Sequence, residues 1–412
     1  MLNVSCFALS VLLVAYALFR AWPDSFLLPV TGSLLILLNY TFLTIHIGAM
    51  SEPLFIVLCL LALITMSAYC EKPGSRTLFL CAAFTSLACL CRFAGLALII
   101  SGAMAIVIHE KTIARKIRQP LIFVTACCVP LIVWIARNRL LTSHFTDRSL
   151  VFHPRLHAQE LAWGVSSWFL PLSLPGAGNV VFLLCAAGIL AAAFFLQRGR
   201  SSRRPELTVY LSFITVYILF GVAIALFFDA TVQPSPRYLT PIFPAVMLVA
   251  LTVWGYFVKH RGRMFRGILL IAFVPLFAFY VPACVRSLAA LRLHGQREIK
   301  DSLFNARVRD LPLDSLIFSN DIGQVYSYCH RLAAELPVRY SSVRAKEIKG
   351  LDKAIRDMGA ALAAGNGYAV YYPDEPTRIF AQPGELEAHF FLQLLFEEEG
   401  KKLYKIGRQK PG

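Results

Sequence analysis

The chain has 412 residues, 57% of them hydrophobic and only 16% charged, and its mean hydropathy is +0.63. Those values exclude an ordinary soluble globular protein and describe a polytopic membrane protein, with long apolar runs separated by short charged loops. The formal net charge of +16 does not point to nucleic acid, because the basic residues gather in the short loops, as the positive-inside rule requires of cytoplasmic loops. The remainder suits phosphate or anionic-lipid contacts.

The chain enters its first apolar run at about residue 3, with no basic leader and no small-residue cleavage site, so no cleaved signal peptide is expected. A membrane helix needs about 20 residues, or about 17 at the short end. Ten runs qualify: 3–19, 26–44, 53–69, 77–91, 95–109, 120–136, 178–196, 207–228, 239–258 and 267–285. The fourth and fifth form one apolar stretch interrupted at Arg92-Phe93-Ala94-Gly95, and they read as a tight pair of spans.

Loop charge sets the orientation. Lys72 and Arg76 follow the third span, and Lys111, Arg115, Lys116 and Arg118 the fifth. Arg198, Arg200, Arg203 and Arg204 follow the seventh, and Lys259, Arg261, Arg263 and Arg266 the ninth. With ten spans these loops share one side, the cytoplasmic one. The N-terminus, 137–177, 229–238 and everything after about 286 then lie outside. Segment 137–177 carries the aromatic run Trp163 to Leu170, suited to the headgroup zone, and Pro171 and Pro175 end it.

The tail changes composition. Ser315 to Ser319 reads as a strand, with Asn320-Asp321 capping the next helix. Leu351, Ile355, Met358 and Leu362 keep a helical period, as do Leu386, Phe390 and Leu394. Tyr368 to Tyr372 and Lys402 to Ile406 read as further strands. The predicted fold class is an all-α polytopic membrane bundle of about ten transmembrane helices, residues 1–285. A small C-terminal α/β extracytoplasmic domain, residues 286–412, completes it. Gly365-Asn366-Gly367 has no phosphate-loop pattern around it and reads as a turn.

The eleven cysteines do not form a disulfide or metal pattern. All but Cys329 lie in or beside apolar runs, as small fillers between helices.

Ionisable residues in or beside membrane spans are expensive, so each is a candidate. In Ser51-Glu52-Pro53, Ser51 suits an N-cap, Pro53 the first turn, and Glu52 the positive end of the helix dipole. The functional alternative is that Glu52 faces a polar cavity and holds a sugar hydroxyl, a cation or an arginine. Arg92 either snorkels to the interface or contacts a lipid-linked phosphate. Trp134, Arg137, Asn138 and Arg139 close the sixth span. Two outer-face arginines there run against the positive-inside rule, and a guanidinium fork suits phosphate. Arg237 and Tyr238 open the ninth span, where Pro241 and Pro244 loosen the helix start. His144, Asp147, Arg148, His153 and His157 lie in the long outer loop. A metal site there would need three or four ligands, with His46 and Glu52 as additional candidates. The outer cavity is thus lined by Glu52, Arg92, Arg137 and Arg237, a set suited to an anionic headgroup.

The turn Ser51-Glu52-Pro53-Leu54-Phe55 and the break Leu90-Cys91-Arg92-Phe93-Ala94-Gly95-Leu96 resemble the GT-C class of integral-membrane glycosyltransferases. So do Trp134-x-x-Arg137-Asn138, Arg237-Tyr238-x-x-Pro241, and an outer α/β tail with Ile317-Phe318-Ser319-Asn320 and Leu336-Pro337. The Rgt-like and protein-mannosyltransferase-like branch is the nearest in pattern. The resemblance implies transfer of a sugar from a polyprenyl-phosphate donor to a lipid, glycan or protein acceptor on the extracytoplasmic face of the cell membrane. Glu52, the only well-placed outer-face carboxylate, is the expected catalytic residue in place of the family's usual aspartate, and Arg92, Arg137, Asn138, Arg237 and Tyr238 are the expected substrate-binding set. No cofactor is required by any motif, a divalent cation being the one candidate. The expected partners are the polyprenyl-phosphate-linked sugar and membrane lipids, not nucleic acid. The family's usual aspartate-bearing outer loop has no counterpart in this sequence, and the expectation is of a chain lacking that first helix and loop. A catalytically inactive membrane partner is therefore one alternative, and a lipid-linked-glycan flippase or transporter another.

Overall fold

A computed structural model of the chain describes residues 2–47, 50–142, 152, 164–165, 168, 177–198, 204–228, 236–261, 282, 285, 302–341, 346–348, 350–362, 367–373 and 379–407. The chain divides into two compact units, Met1–Phe228 with Val232–Val285, and Asp229–Thr231 with Arg286–Gly412.

The first unit is helical. Its elements are α1 (Leu2–Ala21), α2 (Leu27–Leu37), α3 (Tyr40–Ile47), α4 (Glu52–Glu71), α5 (Ser75–Cys91), α6 (Leu96–His109) and α7 (Ile113–Thr142). They are followed by α8 (Ala177–Arg198), α9 (Pro205–Phe227), α10 (Pro236–Leu239) and α11 (Phe243–Arg261). The predicted runs from 3–19 to 239–258 fall on these helices, 26–44 being divided between α2 and α3, and 267–285 lies outside the described residues apart from Pro282 and Val285. Among the described residues five helices are long and apolar enough to cross a membrane, or six with the bent pair α2 and α3. The apolar α5, α6 and α8 accompany them. This is a polytopic membrane protein.

The bend in the second run has a local cause. Asn39 is buried. Its Oδ1 accepts the Phe42 amide at 2.8 Å, capping α3, while its side-chain amide donates to the Trp168 carbonyl. The chain turns by 57° there.

Helix α4 is the central pillar, buried along most of its length. It packs on α1, α5, α6 and α9. Phe42, Phe55, Phe123, Phe213 and Phe243 are fully enclosed in this core. Because lipid tails are as apolar as Leu, such burial gains close-packing dispersion rather than transfer from water. The described thiols among the helices are free, as their filler role requires.

The second unit is α/β. A mixed sheet has the order β2-β1-β5-β7-β6, with β1 (Leu316–Ser319), β2 (Ala334–Glu335), β5 (Gly367–Tyr371), β6 (Phe391–Glu398) and β7 (Lys401–Gly407). Strand β1 is parallel to β2 and β5, and β7 is antiparallel to both β5 and β6. A small ribbon pairs β3 (Tyr340–Ser341) with β4 (Lys346–Glu347). Helices α12 (Leu303–Arg309), α13 (Ile322–Cys329), α14 (Leu351–Leu362) and α15 (Pro383–Glu387) accompany the sheet. Asp321 caps α13 by accepting the Gln324 amide at 2.8 Å, and α14 buries Ile355, Met358 and Leu362. Both match the sequence reading.

One expectation is corrected. The Leu386–Phe390–Leu394 spacing implies a continuing helix, but α15 stops at Glu387 and Leu394 lies in β6. Glu399 and Gly400 both adopt positive φ, 50° and 79°. Two such residues form the tight turn that joins β6 to β7. The pairing of Phe391–Glu398 with Lys401–Gly407 outweighs the accidental four-residue spacing.

Candidate functional site

Three chain breaks meet at one end of the membrane unit. The first is the start of α4. Glu52 is its first residue and Pro53 follows, where a missing N–H costs nothing. Ser51 makes no side-chain cap. Its hydroxyl instead accepts from Arg92 Nη1 at 3.4 Å, so the predicted capping role is replaced by contact with a guanidinium.

The second break lies between α5 and α6. Arg92 is extended, with φ −151° and ψ 139°, and a 3-10 turn, Phe93–Gly95, follows. Gly95 is required by close approach, since a Cβ there would stand 2.6 Å from the Cys89 nitrogen and 2.8 Å from the Ala88 carbonyl carbon. The sequence break at Arg92 to Gly95 is therefore a structural one. The third break is Pro236 to Phe243, where α10 gives way to a 3-10 turn, Thr240–Ile242, before α11.

Glu52 joins the three. Its carboxylate Oε1 accepts from Arg92 Nη1 at 2.6 Å and from Arg237 Nε at 2.6 Å. Glu52 is 1% exposed, whereas the Arg92 and Arg237 side chains are 20% and 48% exposed. The carboxylate is thus the buried anchor, and the guanidiniums present their outer nitrogens. Glu52 Oε2 is also enclosed and has no hydrogen-bond partner among the described residues. Two guanidiniums against one carboxylate leave one net positive charge at the cluster, weighted toward the exposed Arg237. Such a charge attracts an anion, and the planar donor forks suit phosphate oxygens.

The other predicted residues are placed as follows. Tyr238 is half-buried beside Arg237, whose guanidinium lies 5.9 Å from the Tyr238 ring. Arg137 is exposed and Asn138 half-buried near the end of α7. They are linked to the second break through Trp134, whose ring meets Phe93 at 5.9 Å, but neither is among the residues that bind Glu52. His46 is buried between Phe7 and Phe42, with Nδ1 against the Phe42 carbonyl at 2.7 Å. The loop residues His144, Asp147, Arg148, His153 and His157 lie outside the described residues. Among the described residues no three His, Cys, Asp or Glu side chains come together as a metal site.

Sequence reasoning missed two participants, Ser51 as a guanidinium acceptor and Tyr217. The Tyr217 hydroxyl donates to the Tyr238 carbonyl at 3.0 Å. Only the need of a proline-broken helix for an extra donor could have pointed to it.

The helices and their breaks define a polytopic membrane fold. Over 98% of its length the chain matches 83% of the crystal structure of ArnT from Cupriavidus metallidurans bound to undecaprenyl phosphate, with a TM-score of 0.56 and 14% identity. No protein-family model matches the chain, and no curated protein matches it significantly.

Proposed function

We propose that the chain is a membrane glycosyltransferase that binds a polyprenyl-phosphate-linked sugar at Arg92 and Arg237. It would pass the sugar to a lipid, glycan or protein acceptor on the extracytoplasmic face. The observation that carries this reading is the buried Glu52 carboxylate holding two guanidiniums, one of them half-exposed, at the meeting of three chain breaks. Support comes from the ArnT structure, which shares the fold and is bound to undecaprenyl phosphate. The loop charges support the inner or plasma membrane as the location, with 286–412 outside.

In this reading the phosphate oxygens accept from the outer guanidinium nitrogens. As the acceptor hydroxyl oxygen bonds to the anomeric carbon and the bond from that carbon to the phosphate oxygen breaks, the leaving phosphate takes the electron pair and gains negative charge, which the proton released by the acceptor then offsets. Fixed positive donors aimed at that charge lower the barrier. Glu52 orients the two arginines and stops them from drifting apart, so its catalytic contribution is positional. Tyr238 flanks the sugar side of Arg237, and Arg137 and Asn138 form an outer approach for the headgroup. The carboxylate at the cluster is already shared by two cations, and no metal-ligand set surrounds it among the described residues.

The test is transfer from a polyprenyl-phosphate sugar by the full chain in lipid nanodiscs, with Arg92→Ala and Arg237→Ala as comparators. Both variants should lose at least tenfold in turnover per donor bound. Unchanged turnover in both would remove the assignment.

A further inference from the structure

We propose that Tyr217 is a positioning residue for the anion site, holding the turn that aims Arg237. This rests on the reading above that Arg237 binds lipid-linked phosphate. Tyr217 sits in the membrane-spanning α9, is 7% exposed, and packs on Phe213 at a centroid distance of 5.5 Å. A buried phenol needs a partner. Its partner is the Tyr238 carbonyl, at 3.0 Å.

The Tyr238 carbonyl lies just before the 3-10 turn of residues 240–242, and on its own chain an N–H three or four residues on could reach it. Three residues after Tyr238 stands Pro241, which has no N–H. The Tyr217 hydroxyl supplies the missing donor from another helix. Arg237 immediately precedes the residue so held, and its guanidinium reaches Glu52 Oε1 at 2.6 Å. The same helix α9 packs against both 3-10 turns and against α4, and Tyr217 lies within electrostatic reach of Glu52 and Arg92. One hydroxyl therefore registers the third break against the other two.

Tyr217 also lies well inside α9. It stands ten residues before Phe227, the end of α9, or about 15 Å along the helix at 1.5 Å per residue. The Arg237 turn is therefore sunk beside the body of α9.

The experiment uses the full chain in nanodiscs with undecaprenyl phosphate as the probe. Binding affinity and thermal unfolding are measured for the wild type, Tyr217→Phe, Arg237→Ala and the double variant. Losing one buried hydrogen bond corresponds to about tenfold in affinity. Tyr217→Phe should weaken binding by about that factor. In the Arg237→Ala background it should change nothing further, because the group it positions is gone. Adding Pro241→Ala to Tyr217→Phe returns an N–H to the Tyr238 carbonyl and should restore both folding and affinity. Wild-type affinity in Tyr217→Phe, a loss fully additive with that of Arg237→Ala, or no recovery with Pro241→Ala would each overturn the positioning role. If Arg237→Ala itself binds like the wild type, the phosphate reading fails as well, and the two failures are told apart by that single variant.

Discussion

The two ends of the membrane unit both carry arginine and glutamate, in different ratios. At the end where α1 and α4 finish and α9 begins, Arg20 pairs with Glu71 and Arg204 pairs with Glu206. Arg204 also stacks on Trp22, with its guanidinium carbon 3.9 Å from the ring, and donates to the Ala21 carbonyl. Tyr69 donates to Glu110 at 2.7 Å nearby. There each arginine has its own carboxylate, and the pairs are part-exposed. At the opposite end Arg92 and Arg237 share one carboxylate that is almost fully buried. The balanced end staples helices together, whereas the unbalanced end keeps a cation in reserve. The C-terminal unit gives a further contrast. Arg331 is buried, and its guanidinium donates to the carbonyls of Arg309, Leu311 and Pro312 and to the Ser315 hydroxyl. That charge is fully engaged by the loop it closes, and its role is structural.

The largest effect should come from breaking the anchor of the unbalanced end. Glu52→Ala leaves two guanidiniums without the enclosed carboxylate that gathers them. Thermal unfolding in nanodiscs should show a large drop and lipid-phosphate binding should vanish. A variant with near wild-type melting would mean that the pair is not buried in the native membrane.

Gly95→Ala comes next. The added methyl has only backbone to displace, and overpacking of that kind costs about 1–3 kcal/mol. Melting and lipid-phosphate affinity should fall together, because the backbone that moves carries Arg92. Loss of stability with intact affinity would separate the break from the site.

The comparison is sharpened by Arg237→Ala against Arg20→Ala. The first should cut affinity for undecaprenyl phosphate at least tenfold with a modest change in melting, since Arg237 is half-exposed. The second removes a part-exposed pair whose contribution is about 1 kcal/mol or less, and should leave binding unchanged. Equal losses would erase the distinction between the two ends.

The smallest effect belongs to a carboxylate that faces solvent. Glu398 accepts from the Phe304 amide at 2.9 Å and from the Ser302 hydroxyl at 2.8 Å, fastening the start of α12 to β6. Those hydrogen bonds, the backbone one foremost, hold its carboxyl below the usual range. A lowered folded value means that the stabilisation is complete above the unfolded carboxylate range and is lost as pH falls through the folded value. Amide exchange at Phe304 should quicken over that acidic window, and Glu398→Gln should flatten the dependence. A pH-independent protection factor in the wild type would contradict the assignment.

Much of this organisation could be read in the sequence, and the particulars show why the rest could not. The apolar runs mark the helices because only internally bonded segments survive in lipid. Ser51-Glu52-Pro53 marks a helix start, and Arg92 and Pro241 interrupt their runs visibly, so all three breaks were legible. The bend at Asn39 was not, because one buried amide causes it and hydropathy averages over it. The β6–β7 hairpin was misread because Leu386, Phe390 and Leu394 imitate a helical spacing, while its turn depends on the backbone angles of Glu399 and Gly400. For the site, the sequence placed Glu52, Arg92 and Arg237 on one face. It could not show that a single carboxylate oxygen holds both guanidiniums, because that contact spans 185 residues of chain. Tyr217 was missed because its partner is a backbone carbonyl on another helix, which no side-chain pattern marks.

The central claim is that the unbalanced arginine pair holds a lipid-linked phosphate. The most direct measurement is undecaprenyl phosphate binding to the full chain in nanodiscs, comparing the wild type, Arg237→Ala and Arg20→Ala at constant ionic strength. The account predicts at least a tenfold loss in Arg237→Ala and none in Arg20→Ala. Wild-type affinity in Arg237→Ala would contradict it.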